Sequence, residues 1–407
     1  MQETHQRAFK TKLRPTSAQK VYFVECAGVA RFAFNWGLAE WERQFNAGEK
    51  PRGRALRTQL NAIKHEVYPW LTNYPYTVFE QAFDHLQNSF DNYWRQKKDG
   101  TVAKRIEQKK KRGTWNKHLA RCLRKGRKGI QIDPGYPQFK SRFDDKKFQM
   151  RGCAIEYHRV RLPRIGWVIL AEKGYIPPTS DPTVKLNTVT ISEKAGSWYA
   201  SAQYELPLPE PPPLDGTIGI DLGIKNLVVT SDGETFDNPR ALARHEKQLA
   251  RLQREFSRRK PGSSNRAKTK AKIARLNDKI SNIRRHMQHN VSAHVTHNMT
   301  PETVVVEDLN VDGMKTNKRL AKAVSDSGMG EIRRQIEYKA GWIGTDVVVA
   351  DRWFPSSKTC SNCGSIREDL TLSDRVFSCN ECGLVIDRDH NAALNLAGLA
   401  DRRAHAV

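Results

Sequence analysis

The sequence predicts a multidomain α+β protein. Its first half reads as a small β-barrel interrupted by helices, its second as a mixed sheet interrupted by a four-cysteine module. Three observations carry that prediction. Two aromatic-rich helical stretches separate one N-terminal strand from a later group of strands. Asp221, Glu307 and Asp389 each sit at the edge of an apolar element, far apart in the chain. Four cysteines form a pair of CxxC pairs.

Residues 7–13 alternate in sidedness and read as one strand. Pro15-Thr-Ser17 ends it and can cap a helix that runs to about Asn46. That helix carries Tyr22, Phe23, Phe32, Phe34, Trp36 and Trp41. A second, from about Thr77, carries Phe79, Phe83, Leu86, Phe90 and Trp94 at helical spacing. Most of these aromatics are expected in the core. Residues 101–130 hold twelve Lys/Arg and one acid, Glu107, with little apolar periodicity. They are expected to be a solvated arm that orders on RNA or DNA. Several β segments follow, among them Trp167–Leu170, Val184–Ile191 and Trp198–Tyr204; with the N-terminal strand they suit a small barrel. Pro207-Leu-Pro-Glu-Pro-Pro-Pro213 is an extended linker and the main boundary.

From Thr217 the pattern is a strand holding Asp221, a strand over 225–230, a turn at Asp232-Gly233 and a short third strand. Two long helical stretches come next, broken apart by Pro261-Gly-Ser-Ser264, so a helical hairpin is expected. Between 240 and 285 there are sixteen Lys/Arg and three acids, which makes the outer face strongly positive. A strand ending at Glu307, a helix near 328–342, a strand over 346–350, the cysteine module and a helix from Asp389 complete the chain. Three antiparallel strands followed by helix, strand, helix, strand and helix is the RNase H-like order. It would place Asp221 and Glu307 on neighbouring central strands, with Asp389 approaching from the last helix.

The charge balance indicates the partner. The 407-residue chain has 69 Lys+Arg against 44 Asp+Glu, a net +25, and such a field attracts polyanions. No stretch reaches the ~18 uninterrupted apolar residues of a membrane span, and the N-terminus lacks a signal peptide's apolar core. Nucleic acid is therefore expected, and a membrane is not. A buried carboxylate is costly unless paired or metal-bound. Three convergent carboxylates suit hard ions such as Mg²⁺, and a pair of ions about 4 Å apart suits phosphodiester hydrolysis. Asp308 and Asp387, beside two of them, read as ordinary surface acids.

Cys360-Ser-Asn-Cys363 and Cys379-Asn-Glu-Cys382, fifteen residues apart, read as a zinc ribbon. Four thiolates close the coordination shell, so the zinc is expected to be structural. Cys26, Cys122 and Cys153 are scattered, which with the CxxC pairs points to a reducing, cytoplasmic compartment.

The chain resembles the TnpB family, transposon-encoded relatives of the miniature type V CRISPR nucleases. The resemblance rests on Gly219-Ile-Asp-Leu-Gly-Ile-Lys225, Val306-Glu-Asp-Leu-Asn310, Phe354-Pro-Ser-Ser-Lys-Thr-Cys-Ser-Asn-Cys-Gly364 and Asp387-Arg-Asp-His-Asn-Ala-Ala-Leu-Asn395. Gly135-Tyr-Pro-Gln-Phe-Lys-Ser-Arg142 is also similar to a family stretch. The resemblance implies an RNA-guided DNA endonuclease in a bacterial or archaeal cytoplasm. A guide RNA from the transposon end would pair with one strand of double-stranded target DNA. The protein, as a monomer with one RNA, would read a short adjacent motif. A single RuvC-like site would cut both strands.

Carried over by position, Asp221, Glu307 and Asp389 become the triad and hold Mg²⁺, as two ions. Asp389 is preferred to Asp387 because it stands two residues before Asn391-Ala-Ala. The implied layout is a wedge barrel (1–16 and 131–206) with an inserted helical recognition domain (17–130), then the linker (207–216). A RuvC-like nuclease follows (217–354, with the basic hairpin at 240–300), interrupted by a zinc ribbon that loads the target strand (355–385) and resumed at 386–407. Nucleic-acid contacts are expected from Arg251, Arg254, Arg258, Arg259, Lys260, Lys268, Lys270 and Lys272, and from Lys109, Lys110, Lys111 and Arg112. Asp326-Ser-Gly-Met329 would lie near a mobile lid. All three acidic positions are filled, which favours a live nuclease over a guided repressor. A metal-dependent transposase is the other alternative.

Overall fold

The computed structural model describes residues 4–142, 145–207, 210–371 and 373–404, with side chains to residue 400. The outermost residues of the expected first and last segments, 1–3 and 405–407, and Leu208 and Pro209 of the linker lie outside the described residues. The chain divides into two compact units, 1–207 and 208–407. No helix among the described residues is long and apolar enough to cross a membrane.

The first unit opens with strand β1 (Thr4–Arg14) and helix α1 (Ser17–Asn46). Thr16 starts the helix with a reciprocal cap. Its hydroxyl accepts from the Gln19 amide, and the Gln19 side chain accepts from the Thr16 amide. Helices α2 (Gly53–Val67), α3 (Tyr76–Lys98), α4 (Thr101–Lys111) and α5 (Trp115–Arg124) follow. Most of the expected aromatics join the core: Phe23, Phe83 and Phe90 are buried, and Trp41 stacks on Phe90 at 4.1 Å, whereas Trp94 is exposed. Gly37 lets α1 approach α3, since a Cβ there would lie 2.9 Å from the Phe83 ring.

The basic segment at 101–130 departs from the expected arm, because two helices occupy most of it. Val102 is buried in the core and Ile106, one turn on, packs against it, while Cys122 is buried on α5. That short apolar stripe is enough to dock helices whose other faces are cationic.

Strands β2 (Lys147–Met150), β3 (Ala154–Glu156), β4 (Arg159–Leu162), β5 (Gly166–Leu170), β6 (Lys185–Lys194) and β7 (Ser197–Pro207) complete the unit. With β1 they form a seven-stranded sheet in the order β2-β6-β7-β1-β5-β4-β3. The N-terminal strand is central: it pairs antiparallel with β7 and, at Leu13↔Leu170, with β5. Among the described residues no ladder joins β2 to β3, where a barrel would close.

The second unit begins with β8 (Thr217–Leu222), β9 (Asn226–Thr230) and β10 (Thr235–Asp237). The hairpin of α6 (Ala241–Arg258) and α7 (Ser264–Ala293) follows, with Ser263 capping α7. A π-helical turn, His294–Asn298, ends α7. Then come β11 (Thr303–Glu307), α8 (Val311–Met314), α9 (Ala321–Ser327), α10 (Met329–Ile343) and β12 (Asp346–Ala350). The short ladder of β13 (Val376–Ser378) and β14 (Val385–Asp387) belongs to the cysteine module, and α11 (Arg388–Ala404) closes the chain.

The sheet order is β10-β9-β8-β11-β12, with β8, β11 and β12 parallel and β9 and β10 antiparallel. Both faces are covered, which explains the unbroken valine run of β11: Val304, Val305 and Val306 are fully buried. Ile218, Ile220, Val304 and Val306 face a core shared with Val291, Val295, Ile332 and Ile336 of the helices. Val305 faces the other way, against Leu396 of α11. Strand alternation therefore turns Gly219 and Asp221, and Val305 and Glu307, toward α11. At Gly219 the contact is backbone to backbone: an added Cβ would lie 1.9 Å from the Ala393 carbonyl oxygen.

Candidate functional site

The parallel register pairs Val306 with Ile220, so Glu307 lies level with Asp221, one step further along both strands. Asp389 is in the first turn of α11, the helix laid over that face. All three expected acids thus meet on one side of the sheet. Burial pushes the Asp221 carboxyl well above its usual range, and the charges of Glu307 and Asp389 push the same way. Glu307 is also raised, by burial first and then by Asp389, while a hydrogen bond from Ser356 opposes the shift.

Two neighbours each hold one oxygen of an acid. The Ser356 hydroxyl donates to Glu307 Oε1 at 2.5 Å. The Arg388 guanidinium reaches Asp389 Oδ1 at 3.0 Å through Nη2 and at 3.3 Å through Nε. No bond from a described residue falls on Glu307 Oε2 or Asp389 Oδ2. In each acid one oxygen is thus fixed by a neighbour and the other could take a cation. Asp389 and Arg388 are equally sheltered, each side chain 14% exposed.

The acids expected on the surface have definite partners. Asp387 accepts from the amides of Asp389 (2.9 Å) and His390 (3.1 Å), and so caps α11 instead of standing free. Asp308 binds Arg333 and Arg352, whose hydrogen bonds hold its carboxyl below the usual range. Asp326, expected near a lid, is buried. It accepts from the Leu242 and Ala243 amides that start α6 and from Arg284 of α7 at 2.6 Å. It is a structural joint of the helical hairpin.

The four cysteines converge. Their sulfurs all lie within 4.8 Å of one another, and among the described residues they are the only three or more candidate ligands so closely grouped. Cys360 and Cys382 Sγ are 3.6 Å apart, Cys363 and Cys379 Sγ 3.5 Å. A tetrahedral ion with ~2.3 Å bonds to sulfur holds its ligands about 3.8 Å apart, so the set fits zinc closely. The two halves share one design. The Cys360 amide donates to the Ser365 carbonyl and the Cys379 amide to the Leu384 carbonyl, both at 2.8 Å. Gly364 and Gly383 take positive φ in the turns between. The Ser365 hydroxyl above all pulls the Cys379 thiol down to about 6, Asn362 lowers Cys382, and burial lifts Cys360 to about 11.

The residues that join the acidic centre to the thiol cluster were missed in sequence. Asn391 and Asn395, one helical turn apart on α11, face the segment entering the cysteine module. Asn391 Nδ2 donates to the Thr359 carbonyl at 2.7 Å, and its Oδ1 accepts from the Ser361 amide at 3.0 Å. Asn395 Nδ2 donates to the carbonyls of Ser356 (2.8 Å) and Thr359 (2.6 Å). Ser356 in turn holds Glu307. The available signal was the spacing of two asparagines on an otherwise apolar helix face.

Of the expected nucleic-acid contacts in the second unit, Arg251, Arg254, Arg258, Lys260, Lys268, Lys270 and Lys272 are exposed along α6, its following turn and α7. Arg259 differs: it binds Glu255 and the Asn265 carbonyl and locks the turn of the hairpin. In the first unit Lys110, Lys111 and Arg112 are exposed at the end of α4 and Lys109 is partly covered. Lys111 pairs with Glu107 at 2.8 Å.

The fold and these two sites define an α+β protein with a buried acidic centre tied to a tetrathiolate centre. Residues 188–318 match the OrfB_IS605 family, described as "Probable transposase", and residues 330–396 match the Cas12f1-like TNB domain. Residues 1–50 match a model described as a helix-turn-helix, although they hold one strand and one helix here. A Streptomyces pristinaespiralis protein named "Putative RNA-guided DNA endonuclease" is 33% identical over 416 residues, covering 98% of this chain and 91% of the relative. InsQ of Escherichia coli K12, which bears the same description, is 28% identical and covers 96% and 91%. The CRISPR-associated endodeoxyribonuclease Cas12f1 of Sulfoacidibacillus thermotolerans is 26% identical over 53% of each chain. A solved Cas12f1–sgRNA–target DNA complex aligns over 97% of this chain and 99% of its own at TM-score 0.47 and 12% identity, too slight a likeness to place elements. The chain belongs to the TnpB (OrfB_IS605) family.

Proposed function

We propose that this chain is an RNA-guided DNA endonuclease that hydrolyses phosphodiester bonds at one RuvC-like centre. The observation that carries the reading is the placement of Asp221 and Glu307 level on neighbouring strands, under the helix that brings Asp389. Three acids gathered there, two of them with raised carboxyls, disfavour their own ionisation; a bound cation removes that cost. Asp221, Glu307 and Asp389 would hold Mg²⁺. Two Mg²⁺ ions, when bound, supply an activated water and neutralise charge on the leaving oxygen. Ser356 and Arg388 orient their carboxylates, and α11 is set against β8 by the Gly219–Ala393 contact.

Cys360, Cys363, Cys379 and Cys382 would hold one structural Zn²⁺ in a ribbon at 355–385. The seven-stranded sheet and helices of the first unit would serve as wedge and recognition domains. Guide RNA pairing with target DNA supplies sequence specificity, while the protein's cations meet the backbone. The exposed cations of α6, α7 and α4 are the candidates for those contacts.

Cleavage of a matched plasmid by the protein loaded with guide RNA tests the reading. Asp221→Ala, Glu307→Ala or Asp389→Ala should each abolish cleavage while guide and target binding persist. Strand-transfer products formed without RNA would instead identify a transposase. Loss of RNA binding in the Asp389 variant would refute its assignment.

A further inference from the structure

Trp353 is the most exposed large apolar side chain among the described residues, 85% accessible. Burying an indole normally brings a large gain, so one left in water calls for a reason. The flanking segment cannot simply fold it inward. On one side, Asp351 closes a turn by accepting from the Trp353 amide at 2.8 Å and from the Phe354 amide at 3.1 Å. Arg352 is pinned to the Asp308 carboxylate at 2.5 Å. On the other side, Phe354 packs against the cluster of Val305, Ala350 and Leu396. The indole itself makes no hydrogen bond or ring contact with a described residue.

This platform stands beside the acidic centre. Asp308, which anchors Arg352, directly follows Glu307. Ser356, three residues past Trp353, donates to Glu307. Three residues of chain span at most ~11 Å, about the reach of one or two nucleotides.

We propose that Trp353 is a stacking platform for an unpaired base of the DNA strand entering the acidic centre. The inference rests on the proposed nuclease reading and adds to it: the strand is presented single-stranded, with one base held flat while its backbone reaches the acids. A duplex offers no free base face at that position. Stacking is sequence-tolerant, because every base has a π-face, and so suits an enzyme whose specificity comes from its guide.

Fluorescence titration of the full-length, guide-loaded protein tests this, with no added divalent ion so that DNA stays intact. The probes are a short oligothymidylate unmatched to the guide and an abasic oligomer of equal length. Trp353→Phe serves to subtract the other tryptophans. The parent should bind oligothymidylate with quenching that Trp353→Phe lacks. Trp353→Ala should weaken oligothymidylate about 5- to 100-fold, and abasic oligomer less than about 2-fold. In cleavage of unmatched single strands, Trp353→Ala should raise KM by the same factor and leave kcat nearly unchanged. Equal weakening for both oligomers, or none for either, would overturn the stacking role. Failure of guided cleavage in the parent, with the oligothymidylate difference intact, would instead refute the nuclease reading alone.

Discussion

Asn391→Ala should loosen the joint between the cysteine module and α11. The asparagine is fully buried and makes two hydrogen bonds to the incoming segment, one donated and one accepted. Truncation leaves the Ser361 amide without its acceptor, at about 1–3 kcal/mol, and forfeits the bond to Thr359, about 1 kcal/mol more. The Thr359 carbonyl keeps its bond from Asn395, which limits the loss. A local cost of about 3 kcal/mol corresponds to roughly 100-fold more frequent opening. Hydrogen exchange in peptides spanning 355–365 reads that opening directly, and transfer of zinc to a chelator reads it at the cysteines. Both should accelerate by one to two orders of magnitude, while exchange in α6 and α7 stays as in the parent. Acceleration below about 3-fold at both would show that the module is held by other contacts.

Three further outcomes follow from the geometry. Gly219→Ala places a methyl inside the Ala393 carbonyl's van der Waals sphere, with Ala397 N only 2.5 Å from it, so the helix must lift. The expected cost is about 3 kcal/mol or more by chemical denaturation; a variant as stable as the parent refutes the close approach. Asp221→Asn should stabilise the metal-free protein at neutral pH. The folded carboxyl is raised, so the stability of the parent falls as pH climbs from the ordinary carboxylate range through the raised value. The advantage of the variant should shrink as pH drops, and a less stable variant at neutral pH contradicts the assignment. Cys363→Ser should release zinc and open the small core of Cys360, Leu370, Phe377 and Cys379; unchanged zinc content and unchanged stability would refute it.

Residues that are costly where they stand were the most legible. An aspartate in Ile220-Asp-Leu222 or a glutamate after three valines has no cheap explanation, so the acids could be named from sequence alone. The CxxC pairs were legible because their spacing encodes the knuckle. Residues whose value lies in a distant partner were not. Asn391 and Asn395 are ordinary on a helix until Thr359 and Ser361 lie against them. Asp326 sits beside a basic stretch in sequence, and only the return of α6 and α7 makes it a cap and ion-pair partner. Arg259 counts as one more cation in a run of sixteen until it closes the hairpin turn. Helices α2, α4 and α5 were missed because few apolar anchors hold them, and high charge masked the periodicity.

The acidic centre and the thiol cluster differ in how the chain supports them. The thiol cluster is local: each knuckle supplies its own turn, its own glycine and its own amide hydrogen bonds. The acidic centre is assembled from β8, β11 and α11, which are separated by most of the second unit. The β8–β11 ladder keeps Asp221 level with Glu307, but nothing local holds α11 over them once the carboxylates repel. The chain restrains them in three ways. Gly219 lets α11 rest directly on β8, Ser356 and Arg388 each fix one carboxylate oxygen, and Asn391 and Asn395 fasten α11 to the segment that carries Ser356. That segment runs straight into Cys360. A folded cysteine module therefore restrains Glu307 through Ser356 and Asp389 through α11. On this geometry the insertion of the cysteine module between β12 and α11 has a mechanical consequence: it links the segment that carries Ser356 to the helix that carries Asp389.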